Sequence, residues 1–370
     1  MGTLKYNLSS LQEKAKERTV KTQSIEYDLE TLVKKISRGI IKLDPDYQRR
    51  HRWDDKTSSR LIESLILNIP IPTIYISQDI DVDFETDEYR YSVIDGQQRL
   101  TSMDNFLNDR YALTGLETLD ELNGCLHRDL PPFLIRRLEE RTIKCLRIDS
   151  TIDAQVKIDI FERLNSGSVK LEPQELRNAV FSGKFNVLCK ELSVNRDFRM
   201  LLQIDSDAPE MNNRVRKMED VEVVLRFFTL INENYQNYKK TKEKGFTDFL
   251  SETMKQLNNC SAEFLEKCKY EFETTMSVIL RDFGTVAFAK YKFENDSLKL
   301  QSKYNVAVFD ALAISCHDLI FNEKIQNYSA KKEDFRTLFK NVDFYESISG
   351  SYLDANKLRY RIETTKDTLR

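Results

Sequence analysis

Clustered histidines, closely paired cysteines and a net positive charge are all lacking in this chain, and each absence narrows what it does. Three histidines, His51, His127 and His317, lie far apart in the sequence, so no cluster that activates water at a metal is expected from them. Six cysteines, at 125, 145, 189, 260, 268 and 316, include no C-x-x-C pair and no His/Cys group at metal-ligand spacing. They read as mostly buried thiols of a protein in the reducing cytoplasm. Lys plus Arg number 57 against 60 for Asp plus Glu, a formal net charge of -3, so the chain as a whole does not attract polyanions. Any nucleic-acid contact must come from a local patch. The polar N-terminus, with Lys5, Lys14, Lys16 and Arg18, has no apolar h-region, and no run approaches the length of a membrane span. Neither secretion nor membrane insertion is expected. Internal repeats and low-complexity linkers are also lacking.

What remains is a polar but foldable composition: 370 residues, 40% of them hydrophobic, with room for two domains. Residues 1–24 are charged and weakly patterned, a flexible arm or a docking helix. From Asp28, a candidate N-cap, Leu29, Leu32, Val33 and Ile36 follow helical spacing until Gly39 ends the run, and a short strand over 40–43 follows. Leu61, Ile62, Leu65 and Ile66 predict a second helix, stopped by Pro70 and Pro72 before a strand over 73–77. The acidic stretch 79–88 reads as a solvated linker to a strand over 89–94. Beyond the next helix, 142–148 reads as a strand and 152–164 as a helix closed by Asn165 and Gly167. After about residue 185 helical periods dominate, as in 221–231 and 264–279. The pattern predicts an α+β chain with a polar arm over 1–24, a mixed domain over 25–185 and a mainly helical domain over 186–370.

The most informative stretch is Tyr91-Ser92-Val93-Ile94-Asp95-Gly96-Gln97-Gln98-Arg99-Leu100, an apolar strand running into an Asp-Gly turn and a polar helix start. Such a layout grips phosphate: glycine permits the tight turn, the first helical N–H groups have no intrahelical acceptors, and Arg99 adds a positive fork. The structural alternative is a hairpin turn beside an ordinary exposed helix start. Spacing favours the helix, because Leu100, Met103 and Leu107, with Phe106, form an inward face with Arg99 at its edge.

Three ordered blocks carry a resemblance. They are Tyr47-Gln48-Arg49 with Trp53, then Ile94 to Leu100, then Phe161-Glu162-Arg163-Leu164-Asn165-Ser166-Gly167 continuing through Leu171 to Gln174-Glu175-Leu176-Arg177-Asn178. In order and approximate spacing the chain resembles, over roughly residues 25 to 230, the Asp-Gly-Gln-Gln-Arg family of ParB/sulfiredoxin-like domains, best known as the GmrS-type half of modification-dependent (type IV) restriction enzymes. The resemblance implies a ParB-like N-terminal fold that binds and hydrolyses a nucleoside triphosphate with Mg²⁺.

On that resemblance Asp95, Gln97, Gln98 and Arg99 are the candidate catalytic residues, and Tyr47, Gln48, Arg49, Gly96, Arg99 and Asn165 the candidate nucleotide contacts. Arg99 pairs with phosphate oxygens, and the glutamines suit a phosphate, a base edge or an attacking water. Asp95 either holds Mg²⁺ through water, orients the loop, or is a plain turn residue. Sulfiredoxin carries a reactive cysteine where this chain has Gln97, so thiol chemistry is not expected. The charged segment with Arg50 and Arg52, and the cluster Arg214, Arg216 and Lys217, are candidate DNA contacts or simply solvated faces. Glu175, Arg177 and Asn178 either border the same pocket or form an exposed helix face. Many relatives carry a His-Asn-His nuclease after the helical region, and the three scattered histidines do not build one. The expected role is therefore an NTP-binding sensor in bacterial phage defence that signals to a separate effector or nuclease chain. The alternative is a noncatalytic adaptor that binds modified or foreign DNA.

Overall fold

The computed structural model describes residues 21–43, 53–82, 89–149, 160, 173–181, 183–241, 244–325 and 327–370. They fall into two compact units, Met1–Leu171 and Glu172–Arg370. The chain is mixed α/β in the first and mainly helical in the second.

The first unit contains, in order, β1 (Thr22–Asp28), α1 (Leu29–Ser37), β2 (Ile41–Lys42), α2 (Asp55–Ile66), β3 (Ile74–Val82), β4 (Tyr89–Asp95), α3 (Gln97–Leu107), α4 (Pro132–Glu139) and β5 (Thr142–Ile148). The strands form one mixed sheet in the order β1-β5-β3-β4-β2. β1/β5 and β3/β4 are antiparallel, whereas β5/β3 and β4/β2 are parallel. Asp28 caps α1 by accepting from Thr31 N–H at 2.7 Å, and Asp54 caps α2 from Thr57 N–H at the same distance. Leu29, Leu32, Ile62, Leu65, Ile74, Ile76, Leu100, Met103 and Phe106 are fully buried in one core, which Tyr91 of β4 also joins, so strand and helix on either side of the Asp-Gly turn are anchored in it.

Two expectations need correction. β1 includes residues 22–24, assigned from sequence to the polar arm. It is an edge strand with mostly exposed side chains, so backbone pairing to β5 forms it without an apolar stripe. β3 runs on to Val82, inside the acidic stretch read as a linker, because its backbone pairs with β4 up to Val82 opposite Tyr89. The helix expected over 152–164 lies outside the described residues except at residue 160.

The second unit contains α5 (Pro173–Val180), α6 (Lys184–Leu192), α7 (Arg196–Leu201), α8 (Asn213–Arg216), α9 (Glu219–Leu230), α10 (Phe246–Leu257), α11 (Ala262–Phe283), a hairpin of β6 (Lys290–Glu294) and β7 (Ser297–Ser302), α12 (Val306–Asn322), α13 (Lys332–Thr337), α14 (Val342–Ser347) and α15 (Ala355–Leu369). α12 is buried over nearly its whole length, including the charged side chains Asp310, His317 and Asp318. Each meets oppositely charged partners. Asp310 accepts from Arg226 of α9 and Arg361 of α15. Asp318 Oδ1 accepts from Asn232 N–H at 3.1 Å, and Oδ2 lies 3.5 Å from Lys366 Nζ. His317 sits between Asp318 (Nδ1 to Oδ1, 3.1 Å) and Glu271 (Nε2 to Oε2, 3.4 Å). Among the described residues no helix is long and apolar enough to cross a membrane.

Candidate functional site

The strand, turn and helix start form at the Asp-Gly sequence. β4 ends at Asp95 and α3 begins at Gln97, with Gly96 between them at φ 101°, ψ 11°. That left-handed conformation favours glycine, and space requires it as well: a Cβ would lie 3.0 Å from Ile74 Cγ1 and 3.4 Å from Arg99 Cζ. No side chain caps α3, so the helix presents its first N–H groups at the turn.

Arg99 departs from expectation. It is buried rather than placed at the edge of the helix face, with a relative exposure of 9%. Its Nη1 donates to the carbonyl oxygens of Pro72 and, at 3.3 Å, Thr73, while Nη2 donates to Asp95 Oδ2 at 2.6 Å. The arginine thus pins the segment entering β3 to the end of β4 and the start of α3. Three of the five N–H donors of the guanidinium are engaged in these bonds. Asp95, half-buried, keeps Oδ1 without a partner among the described residues.

Gln98 joins the first and second sequence blocks. Its Oε1 accepts from Trp53 N–H at 3.0 Å, immediately before the Asp54 cap of α2. One turn further along, Ser102 Oγ of α3 meets Ser58 Oγ of α2 at 3.0 Å and donates to Gln98 O at 2.9 Å. Both contacts advance in the same direction on the two helices. α2 and α3 therefore run side by side and parallel, with their N-termini together at the loop. The positive ends of two helix dipoles meet there.

Beneath the loop, Cys145 of β5 lies opposite Ile74 in the strand register. Burial pushes its thiol up to about 12, outweighing the opposite influence of the nearby Arg99. It is a packing residue, not a thiolate nucleophile. Gln97 is half-buried at the helix start, and its carbonyl accepts from Thr101 Oγ1 at 2.8 Å.

Sequence reasoning missed the carbonyls of Pro72 and Thr73 and the N–H of Trp53 as partners. All are backbone groups, which no side-chain pattern reports. Of the other candidates, Tyr47, Gln48, Arg49, Arg50, Arg52 and Asn165 lie outside the described residues. Glu175, Arg177 and Asn178 do not form an exposed face: with Gln174 they are buried within the second unit. Arg177 Nη1 donates to Gln174 Oε1 at 2.5 Å and to Glu222 Oε2 of α9 at 2.8 Å, while Gln174 Nε2 donates to Asn178 Oδ1 at 3.0 Å. A polar helix start packed under α9 explains what looked like a solvated face. Arg214 is half-buried, lying 4.5 Å from the Tyr304 ring centroid and donating to Leu202 O at 3.3 Å, whereas Arg216 and Lys217 are exposed.

A glycine-turned strand-to-helix loop on a mixed sheet, with two parallel helix starts beside it, characterises the first unit as an α/β module. Residues 29–182 match the family model of the GmrSD restriction endonuclease, N-terminal domain, which supports a GmrSD-type N-terminal domain over that stretch. The match runs past the division between the compact units, so α5 belongs to the matched stretch by sequence and to the second unit by its contacts. No curated protein and no solved structure matches the chain.

Proposed function

We propose that this chain is a cytoplasmic, nucleotide-binding and NTP-hydrolysing sensor of a bacterial restriction or anti-phage system, built on a ParB-like Asp-Gly-Gln-Gln-Arg domain. The observation that carries the reading is the convergence of the α2 and α3 N-termini, joined by the Trp53–Gln98 hydrogen bond, beside the Gly96 turn. Helix starts favour phosphate through their free N–H groups and dipoles. The match to a restriction-enzyme N-terminal domain supports the biological setting. Arg99 contributes its two remaining donors and, through the other three, the shape of the loop. Asp95 Oδ1 is the carboxylate oxygen of the loop left for Mg²⁺, the rest of whose coordination comes from phosphate and water. Gln97 orients the water that takes the terminal phosphoryl group, giving nucleoside diphosphate and inorganic phosphate. The six free thiols fit a reducing compartment.

The test is phosphate release by the purified chain from each of the four NTPs, with and without plain or modified DNA. Release that depends on Asp95 and Arg99 supports the reading. No binding of any NTP by calorimetry overturns it, and DNA binding without nucleotide binding favours the adaptor alternative. Cleavage of the DNA itself is not expected without a separate effector chain.

A further inference from the structure

Several apolar side chains of the second unit are left in water. Val187 of α6, Val194 in the turn before α7, Met200 of α7, Met211 and Val286 are each between 37% and 75% exposed. Phe198 of α7 packs against Phe272 of α11 with ring centroids 5.1 Å apart, so α7 lies against α11. Beyond them, Gln203 ties the chain leaving α7 to the chain leaving α11. Its backbone is left-handed at φ 58°, its Nε2 donates to Thr285 O at 2.6 Å and to Met200 O at 3.1 Å, and its carbonyl accepts from Asn212 Nδ2 at 3.3 Å. Met200, Met211 and Val286 are thereby gathered at one corner, each being a partner of Gln203 or the sequence neighbour of one. Apolar groups left in water beside one another mark a surface that another surface covers.

The charges beside these side chains are separated by sign. Residues 184–199 carry four basic and two acidic side chains, whereas residues 203–213 carry three acidic and none basic. Lys184 and Arg196 on the first stretch, and Asp205, Asp207 and Glu210 on the second, are exposed and form no ion pair among the described residues. Arg196 and Met200 stand four residues apart on α7 and share a face, so the basic end borders the apolar corner. A strip that is basic at one end, acidic at the other and apolar between is complementary to itself after a half-turn, the symmetry of most protein dimers. We infer that the strip from α6 through α7 to Met211 is the interface of a two-fold dimer. Lys184 and Arg196 of one protomer face Asp205, Asp207 and Glu210 of its partner, and the apolar side chains meet between them. A second copy suits the strip because it supplies both signs in the required order, whereas the acidic end repels a nucleic-acid backbone. The inference is independent of the nucleotide reading.

The experiment is sedimentation velocity on the full chain over a range of concentrations. The parent is expected to dimerise with a Kd on the order of 10 µM, as fits a small interface, and more weakly as salt is raised. Lys184→Glu with Arg196→Glu makes both ends of the strip acidic, and Asp207→Lys with Glu210→Lys turns the acidic end basic. Each double variant alone is expected to dimerise roughly tenfold more weakly than the parent, or worse, because like charges then face each other. An equal mixture of the two is expected to recover a heterodimer, since opposite signs meet at both ends. Should either double variant not fold by circular dichroism, the single changes Arg196→Glu and Glu210→Lys carry the same test. A parent that stays monomeric up to roughly 100 µM overturns the inference. So do folded variants that dimerise as well as the parent, a mixture that forms no heterodimer, and parent assemblies that grow beyond two copies, which a closed two-fold interface does not allow.

Discussion

Asp95 and Arg99 hold each other across Gly96, with Arg99 Nη2 donating to Asp95 Oδ2 at 2.6 Å while the other arm of the same guanidinium grips the chain entering β3. A lysine cannot reproduce that fork, since its single ammonium does not reach three acceptors in one plane. Arg99→Lys is expected to lower unfolding stability by about 1–3 kcal/mol, measured as a shift in the urea midpoint, and to weaken nucleotide binding with it. An unchanged midpoint would show that the latch contributes nothing to the fold.

Gly96 is expected to be intolerant of even one added methyl group. Its φ of 101° strains an L side chain, and the new Cβ would meet Ile74 Cγ1 at 3.0 Å. Gly96→Ala is expected to cost roughly 1–3 kcal/mol by chemical denaturation. Gly39, also at positive φ but with nothing within 4 Å of a Cβ, is the control, and its alanine variant is expected to lose less.

The loop was legible where side chains alternate or recur. The apolar run of β4 followed by Leu100, Met103 and Phe106 gave both elements, and all three of those core residues are fully buried. The role of Arg99 was not, because a polar helix start looks the same whether its arginine reaches water or the carbonyls of Pro72 and Thr73. β1 was missed for a related reason: an edge strand held by backbone pairing needs no hydrophobic period. Of the two readings of Glu175, Arg177 and Asn178, the exposed helix face fails because polar residues bury comfortably once they satisfy one another.

The buried imidazole of His317 makes stability depend on pH. Burial opposes its charge, but the hydrogen bonds to Asp318 and Glu271 outweigh that and raise its pKa above the ordinary 6.5. Its contribution is therefore complete below 6.5 and is lost as pH rises through the higher folded-state value. Glu271 behaves in the opposite sense: burial pushes it up, yet His317 and Lys267 hold it below 4.5, so its contribution is lost as pH falls through that lowered value. Thermal melts are expected to show a decline on the alkaline side that flattens in His317→Gln. A decline of the same steepness in that variant would assign it to other groups.

Asp310 is the shared carboxylate partner of two buried guanidiniums, those of Arg226 and Arg361, on helices α9 and α15. Removing the carboxylate leaves both cations without it in the interior. Asp310→Ala is expected to destabilise the second unit by roughly 3–5 kcal/mol, read from hydrogen exchange of α9 and α15. Protection unchanged on both helices would count against the arrangement.

The sheet of the first unit carries a consequence in time. Thr22 stands opposite Ile148, so the first strand of the sheet and the last in sequence are hydrogen-bonded neighbours, and β5 also supplies the parallel partner of β3. Pairings this distant along the chain form slowly, because the intervening loop must be closed before any contact rewards it. On a ribosome, β4, the glycine turn and α3 emerge before β5 and lack the strand that completes the floor beneath them. The glycine-turn corner is therefore synthesised before the strand that completes the sheet beneath it and becomes rigid only once that strand has paired.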